Sequence, residues 1–271
     1  MMPVAAQKKP VQPVRKPYLT GSPADSSTIR SALTILGTLL LMGVAFLFFG
    51  AVLLFDQFVL RLITNALVYG VALLLYYNTG AGNGAIAVNN GEIMLRRLET
   101  DREVTPEERA RCYHPLKGLI IGLLGCAPLI ILALILAFTA ERQMTSIGVL
   151  PSWVAALESR EEIGRALAYY HQPLYMGFTD WLRVGIRIGM MPLVNIIGSE
   201  NPDGLLLLER LSPLIMALPG LFYGLGYRQG TEIRTKVHTD IAAGQTKRKK
   251  KDRRERKQRQ TGDRGRIERL N

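Results

Sequence analysis

Residues 31–55 read SALTILGTLLLMGVAFLFFGAVLLF, and no side chain in the stretch ionises. As an α-helix at about 1.5 Å per residue it would reach roughly 37 Å, enough to cross a hydrocarbon core of about 30 Å with some tilt. No core helix of a water-soluble domain needs that length without a charged face. The chain is therefore expected to be an all-α integral membrane protein. Its other segments follow as answers to this first crossing.

Three further apolar runs accompany it. Asp56 and Gln57 interrupt the first run, and a second extends from about residue 59 to 77, with Arg61 able to lift its charge to the headgroup level. Tyr76 and Tyr77 close it where an aromatic belt would lie. The third covers about 116–138 and the last about 205–227, where Glu209 and Arg210 come early and are expected near the interface, with a pair to Arg187 inside the bundle as the alternative. Pro213 and Pro219 sit inside that last run. Prolines there are tolerated only if neighbouring groups satisfy the carbonyls they free.

The segment at 181–198, WLRVGIRIGMMPLVNIIG, behaves differently. Each arginine costs about 2.5 to 3.5 kcal/mol at a bilayer centre, while each aliphatic residue returns about 0.3 to 0.6. Arg183 and Arg187, with Pro192 and Asn195, outweigh the apolar residues between them. The segment is not expected to cross alone. It reads as an extra interfacial or re-entrant helix, its two arginines touching lipid phosphate or another anion, with Asp180 a local partner for Arg183.

Charge is distributed as unevenly as hydropathy. Of a formal net charge of +12, residues 246–271 carry +9 and residues 1–30 carry +4, leaving −1 for everything between. The proline-rich, basic residues 1–30 are expected to be a disordered tail that is not a cleavable signal. Residues 228–271 form a second basic tail, in which Lys247, Arg248, Lys249, Lys250, Lys251, Arg253 and Arg254 would meet anionic lipid or a polyanionic partner. It holds no aromatic residue to stack on bases, so specific single-strand recognition is not expected. Lys and Arg concentrate on the cytosolic flanks of membrane helices. Four crossings with both termini in the cytosol satisfy that rule best. Residues 78–115 then form a cytosolic loop and 139–204 an extracytoplasmic segment.

Local signals fill in the connections. Gly80, Gly82 and Gly84 lack the Lys-Ser/Thr of a phosphate-binding loop and are expected to be a flexible exit from the second span. Asn89-Asn90-Gly91 signals a turn. Thr105-Pro106-Glu107-Glu108 has the pattern of a capping box opening a short helix. Ser152 would cap a surface helix through Tyr170, in a region where Trp153, Trp181 and several tyrosines gather. The pairs Gly118/Gly122, Gly185/Gly189 and Gly220/Gly224 share a spacing that lets helices approach closely, within the chain or between copies of it.

Catalytic signatures are missing. His114, His171 and His238 are scattered without acid–base partners at a recognisable spacing, and no nucleophile set or paired-carboxylate site stands out. Cys112 and Cys126 form no disulfide framework, and Cys112 with His114 offers two metal ligands at most. No metal or cofactor is expected. The sequence points to a non-enzymatic accessory or scaffold subunit. The alternatives are a transporter or channel component with the Arg183/Arg187 segment as its re-entrant element, and a membrane tether for a ribosome or nucleic acid.

Overall fold

A computed structural model of the protein describes residues 13–50, 52–141, 177–198 and 201–244. Within them every regular element is a helix: α1 (Ser26–Gly50), α2 (Phe58–Glu99), α3 (Pro106–Ala110), α4 (Lys117–Thr139), α5 (Phe178–Gly189), α6 (Met191–Ile197) and α7 (Pro202–Arg228). Helical turns resume beyond Gln229 and carry the chain through residues 230–244. Four helices are long and apolar enough to cross a membrane: α1, α2, α4 and the Pro202–Gly244 run that begins as α7. The surface helix expected from Ser152, with Trp153, Tyr169, Tyr170 and Tyr175, lies outside the described residues, as does the tail from Lys247 to Arg254.

Helix α1 starts at a capped aspartate. Asp25 Oδ1 accepts from the backbone N–H of Thr28 at 2.8 Å, while the Thr28 hydroxyl accepts from the backbone N–H of Asp25 at 3.0 Å. Two otherwise orphaned donors are satisfied reciprocally. The helix stops at Gly50, so the apolar run outlasts it and its last residues form the connecting turn. Asn65 on α2 donates to the carbonyl of Leu53 in that turn at 3.0 Å. The capping box at Thr105 forms as its spacing predicts, with Glu108 reaching back to the N-cap.

The largest correction concerns residues 78–99. They are not a loop: α2 runs unbroken from Phe58 to Glu99, and Asn89-Asn90-Gly91 makes no turn. Glycine is a poor helix former by roughly 1 kcal/mol relative to alanine, but tertiary packing routinely overrides propensity. Here the packing is visible. A methyl group at Gly80 or Gly84 would overlap the backbone carbonyls of Tyr223 and Tyr227 on α7, and one at Gly226 would overlap that of Tyr77. The glycines let α2 and α7 run side by side in parallel with backbones touching. Tyr76 is a second correction: it points into the bundle and is only 6% exposed.

Helix α7 also packs antiparallel on α4, and α1 lies against α4. Gly122 and Gly220 face each other, and Gly118 lies against the Tyr227 ring. Both prolines of α7 are compensated. Pro213 frees the carbonyl of Glu209, which accepts from the Ser212 hydroxyl at 2.7 Å. Pro219 frees that of Ile215, which accepts a long bond of 3.5 Å from the Tyr69 hydroxyl on α2.

Two cores result. One gathers Tyr76, Val88, Tyr113, Ile121, Tyr223 and Tyr227, with Tyr18 packed against it. The other, at the opposite end, joins Ala133 and Leu136 of α4 to Leu182 and Ile186 of α5 and to Leu208 and Met216 of α7. The outward faces stay apolar, with Phe48, Phe138 and Leu214 largely exposed.

The described part of the proline-rich amino-terminal segment, residues 13–30, packs on the bundle, contrary to the disorder expected there. Leu19 donates to the carbonyl of Gly91 at 3.1 Å and Gly21 to that of Tyr113 at 3.0 Å. Tyr18 meets the Tyr113 ring edge-on, and Tyr113 stacks on Tyr227. The segment therefore straps the far half of α2 to the chain around Tyr113.

Candidate functional site

The most concentrated buried charge lies where α5 meets the second turn of α7. Asp180, Arg183 and Arg187 are spaced three and seven residues apart, which places them along one side of α5. Opposite them stands Glu209, 1% exposed. Arg187 Nε donates to Glu209 Oε1 at 2.9 Å, and its Nη2 lies 2.6 Å from the same oxygen. Arg183 Nε is 2.8 Å from Oε1, but its N–H is not aimed along that line, so the contact is an ion pair rather than a hydrogen bond. Arg183 also donates to Asp180 Oδ1 at 3.2 Å and to the carbonyl of Glu141 at 3.3 Å.

Two arginines against two carboxylates make the cluster formally neutral. Removing these charges from water is expensive, and mutual attraction offsets the expense only when the geometry is close and the remaining donors are used. This corrects the expectation that Arg183 and Arg187 meet lipid or a free anion: both are committed to Glu209. For Glu209 the structure shows the pair with Arg187 inside the bundle, while Arg210 beside it is exposed.

Past α5 the chain breaks at Met190 and turns back as α6. Gly189 lies against the Met216 methyl, well along α7, whereas Met191 returns to Gly50 at the end of α1. Asn195 then donates to the carbonyl of Gly50 at 2.9 Å and to Asn65 Oδ1 at 3.3 Å. The buried amide pair fastens α6 to α1 and α2. Gly198 ends α6 with φ +84°, in the region that favours glycine, beside the Arg61 guanidinium.

A second cluster occupies the opposite end, between the carboxy-terminal half of α2 and residues 230–244. Glu92 Oε2 accepts from Arg234 Nη2 at 3.1 Å and from its Nε at 3.3 Å. Glu92 Oε1 lies 2.7 Å from His238 Nε2, and Asn89 takes a further Arg234 donor. Burial alone would push the Glu92 carboxyl up; the hydrogen bonds and charges of His238 and Arg234 outweigh it and hold the group below its ordinary range. Next to this cluster, Lys117 Nζ, nearly buried, pairs with Asp25 Oδ2 at 3.1 Å and donates to the carbonyl of Ala110 at 2.8 Å. Asp25 follows the same logic as Glu92. Burial raises it, and hydrogen bonds from Ser27, Thr28 and Lys117 bring it below the usual carboxylate range.

Of the six glycines picked out for helix packing, Gly118, Gly122, Gly220 and Gly224 all lie on the α4–α7 seam, and Gly189 touches α7. Gly185 is the exception, with nothing within 4 Å of where its Cβ would be. Sequence reasoning missed Gly80/Gly84 and Gly226/Gly230, which carry the same four-residue spacing and fasten the α2–α7 seam. Glu92, Arg234 and His238 left no comparable signal, because their meeting depends on the register of two long helices. Among the described residues no three His, Cys, Asp or Glu side chains gather as metal ligands. Cys112 and Cys126 are both buried as free thiols. Compared with protein-family models, curated proteins and solved structures, the chain matches none.

Proposed function

We propose that the chain is a non-enzymatic membrane scaffold with four crossings, both termini in the cytosol, and a basic carboxy-terminal segment that contacts anionic lipid or a polyanionic partner. The observation that carries this is the parallel α2–α7 pair. The apolar half of α2 is long enough for one crossing, and residues 78–99 then add roughly 33 Å of helix at 1.5 Å per residue. Residues 230–244 run beside them, joined by Gly84, Gly230 and the Glu92–Arg234–His238 cluster. Such a projection acts as a stiff spacer leading into the run from Lys247 to Arg254, whose charge suits anionic lipid or a polyanionic partner.

In this arrangement α5 and α6 are a re-entrant pair entering from the opposite face. The neutrality of the Glu209 cluster favours a structural role for that pair over anion transport, since neither arginine is left to hold a substrate.

Removing residues 245–271 from the full chain in nanodiscs is expected to abolish salt-sensitive co-sedimentation with heparin or anionic vesicles while leaving thermal unfolding unchanged. Undiminished binding by the truncated chain overturns the role given to the tail. An epitope after Asn271 that is labelled in unbroken cells overturns the orientation.

A further inference from the structure

A groove of about 450 Å³ opens between α1 and α2, a size within the roughly 300–1,000 Å³ common for small-molecule sites. It exists because the two helices part company, α1 packing on α4 and α2 on α7. Its lining changes along its length. Ser31, Thr34, Thr79 and Asn83 stand at one end, and Leu41, Met42 and Ala45 at the other. From Ser31 to Ala45 the groove follows α1 for roughly 21 Å, more than half of a hydrocarbon core of about 30 Å. No lining side chain ionises at neutral pH.

Tyr76 stands between the two ends. It is 6% exposed, and its hydroxyl makes no hydrogen bond of acceptable geometry, although Thr38 is its near neighbour. Leaving a buried hydroxyl without an acceptor is costly, so a donor left open beside a cavity marks a position for an acceptor from outside the chain. The polar groups around it are arranged to match. Thr34 and Thr79 give their hydroxyl protons to the backbone carbonyls of Arg30 and Leu75, which leaves their oxygens as acceptors, while Thr38, bonded to Ile35, stands beside the Tyr76 hydroxyl. Asn83 uses one amide proton on the Tyr223 hydroxyl at 3.1 Å and keeps a second. The groove thus offers acceptors and a spare donor at its mouth, a lone donor further in, and a purely apolar floor.

We propose that this groove binds an acylglycerol, a neutral lipid with a free hydroxyl head and ester carbonyls one step deeper. The hydroxyl donates to the threonine oxygens at the mouth, an ester carbonyl accepts from Tyr76, and an acyl chain lies over Leu41, Met42 and Ala45. A phosphate-bearing lipid is disfavoured by charge, because no lining group can pair with an anion drawn into the groove.

The test uses a photoreactive diacylglycerol with the full chain in phosphatidylcholine nanodiscs. Labelling is expected to be saturable, to map to peptides of α1 and α2, and to be competed by unlabelled diacylglycerol but not by phosphatidic acid. Tyr76→Phe should weaken apparent affinity about fivefold, the value of one net hydrogen bond. It should leave the Tm unchanged, because the contact with Thr38 that it deletes falls short of hydrogen-bond geometry. Ala45→Trp should abolish labelling by filling the floor, and if that variant does not fold, Tyr76→Phe decides alone. Equal competition by phosphatidic acid, unchanged affinity in Tyr76→Phe, or a lowered Tm in that variant each overturns the proposal. The groove requires the bundle to lie in a bilayer. A chain extracted from membranes by alkaline carbonate defeats that premise, whereas an embedded chain that is not labelled defeats the groove alone.

Discussion

The two ends of the bundle solve one problem in different ways. At each, a nearly buried carboxylate draws two cationic or cationisable side chains from another element: Arg183 and Arg187 to Glu209, Arg234 and His238 to Glu92. Around Glu209 the cations are almost wholly enclosed and permanently charged. Around Glu92 the Arg234 side chain keeps a quarter of its surface, and the other partner is an imidazole. The first cluster holds a broken helix pair inside the bundle. The second clamps two long helices side by side. The difference teaches that equivalent chemistry can serve enclosure in one place and alignment in another, with exposure of the cations separating the two.

Substitution should widen that contrast, most of all at Glu209. Glu209→Ala leaves two enclosed arginines facing one remaining carboxylate and is expected to cost about 3–5 kcal/mol, read as a lowered unfolding midpoint in detergent. Replacing Arg183, Arg187 and Glu209 together by methionine should recover most of the loss, because the stranded charge disappears with its partners. A triple variant as unstable as the single one would show that the loss has another origin.

The glycines give an intermediate effect and a built-in control. Gly122→Val drives a side chain against the Gly220 backbone, and overpacking of this kind costs typically about 1–3 kcal/mol. Gly185→Ala enters open space on a helix and should be neutral or stabilising by up to roughly 1 kcal/mol. Thermal unfolding of the pair separates seam from surface, and equal losses would refute the assignment.

The smallest effect is expected at Glu92 and depends on pH. Its carboxyl lies below its ordinary value in the folded chain, so the stabilisation it brings is present above the unfolded value of about 4.5 and fades as the pH falls through the folded one. Glu92→Gln should flatten that acid limb of the stability curve while leaving the Glu209 end unchanged. An acid limb of the same slope in the variant would remove Glu92 from its cause.

What could be read from the chain alone follows the range of each signal. The four apolar helices and the Thr105 capping box depend on neighbours in sequence, and both were legible there. Residues 78–99 were not, because Gly80, Gly84 and Asn89-Asn90-Gly91 carry every local mark of a loop and are helical only through contact with α7. The same limit applies to residues 13–25. Their composition cannot form a core, yet Leu19 and Gly21 find backbone partners on elements far away in sequence. For the ion clusters, the pairing of Arg183 with Asp180 was within reach at a spacing of three. Its pairing with Glu209 required the break at Met190 and the approach of α7, which no periodicity encodes.

The compensated prolines of α7 bear on how the molecule is made. One freed carbonyl is answered by the adjacent Ser212, but the other waits for Tyr69, which belongs to α2. Away from water, α7 by itself would leave that oxygen without a donor. Translation proceeds from the amino end, so the tyrosine is already in place when the helix that needs it emerges. The order of manufacture supplies the companion before the demand arises.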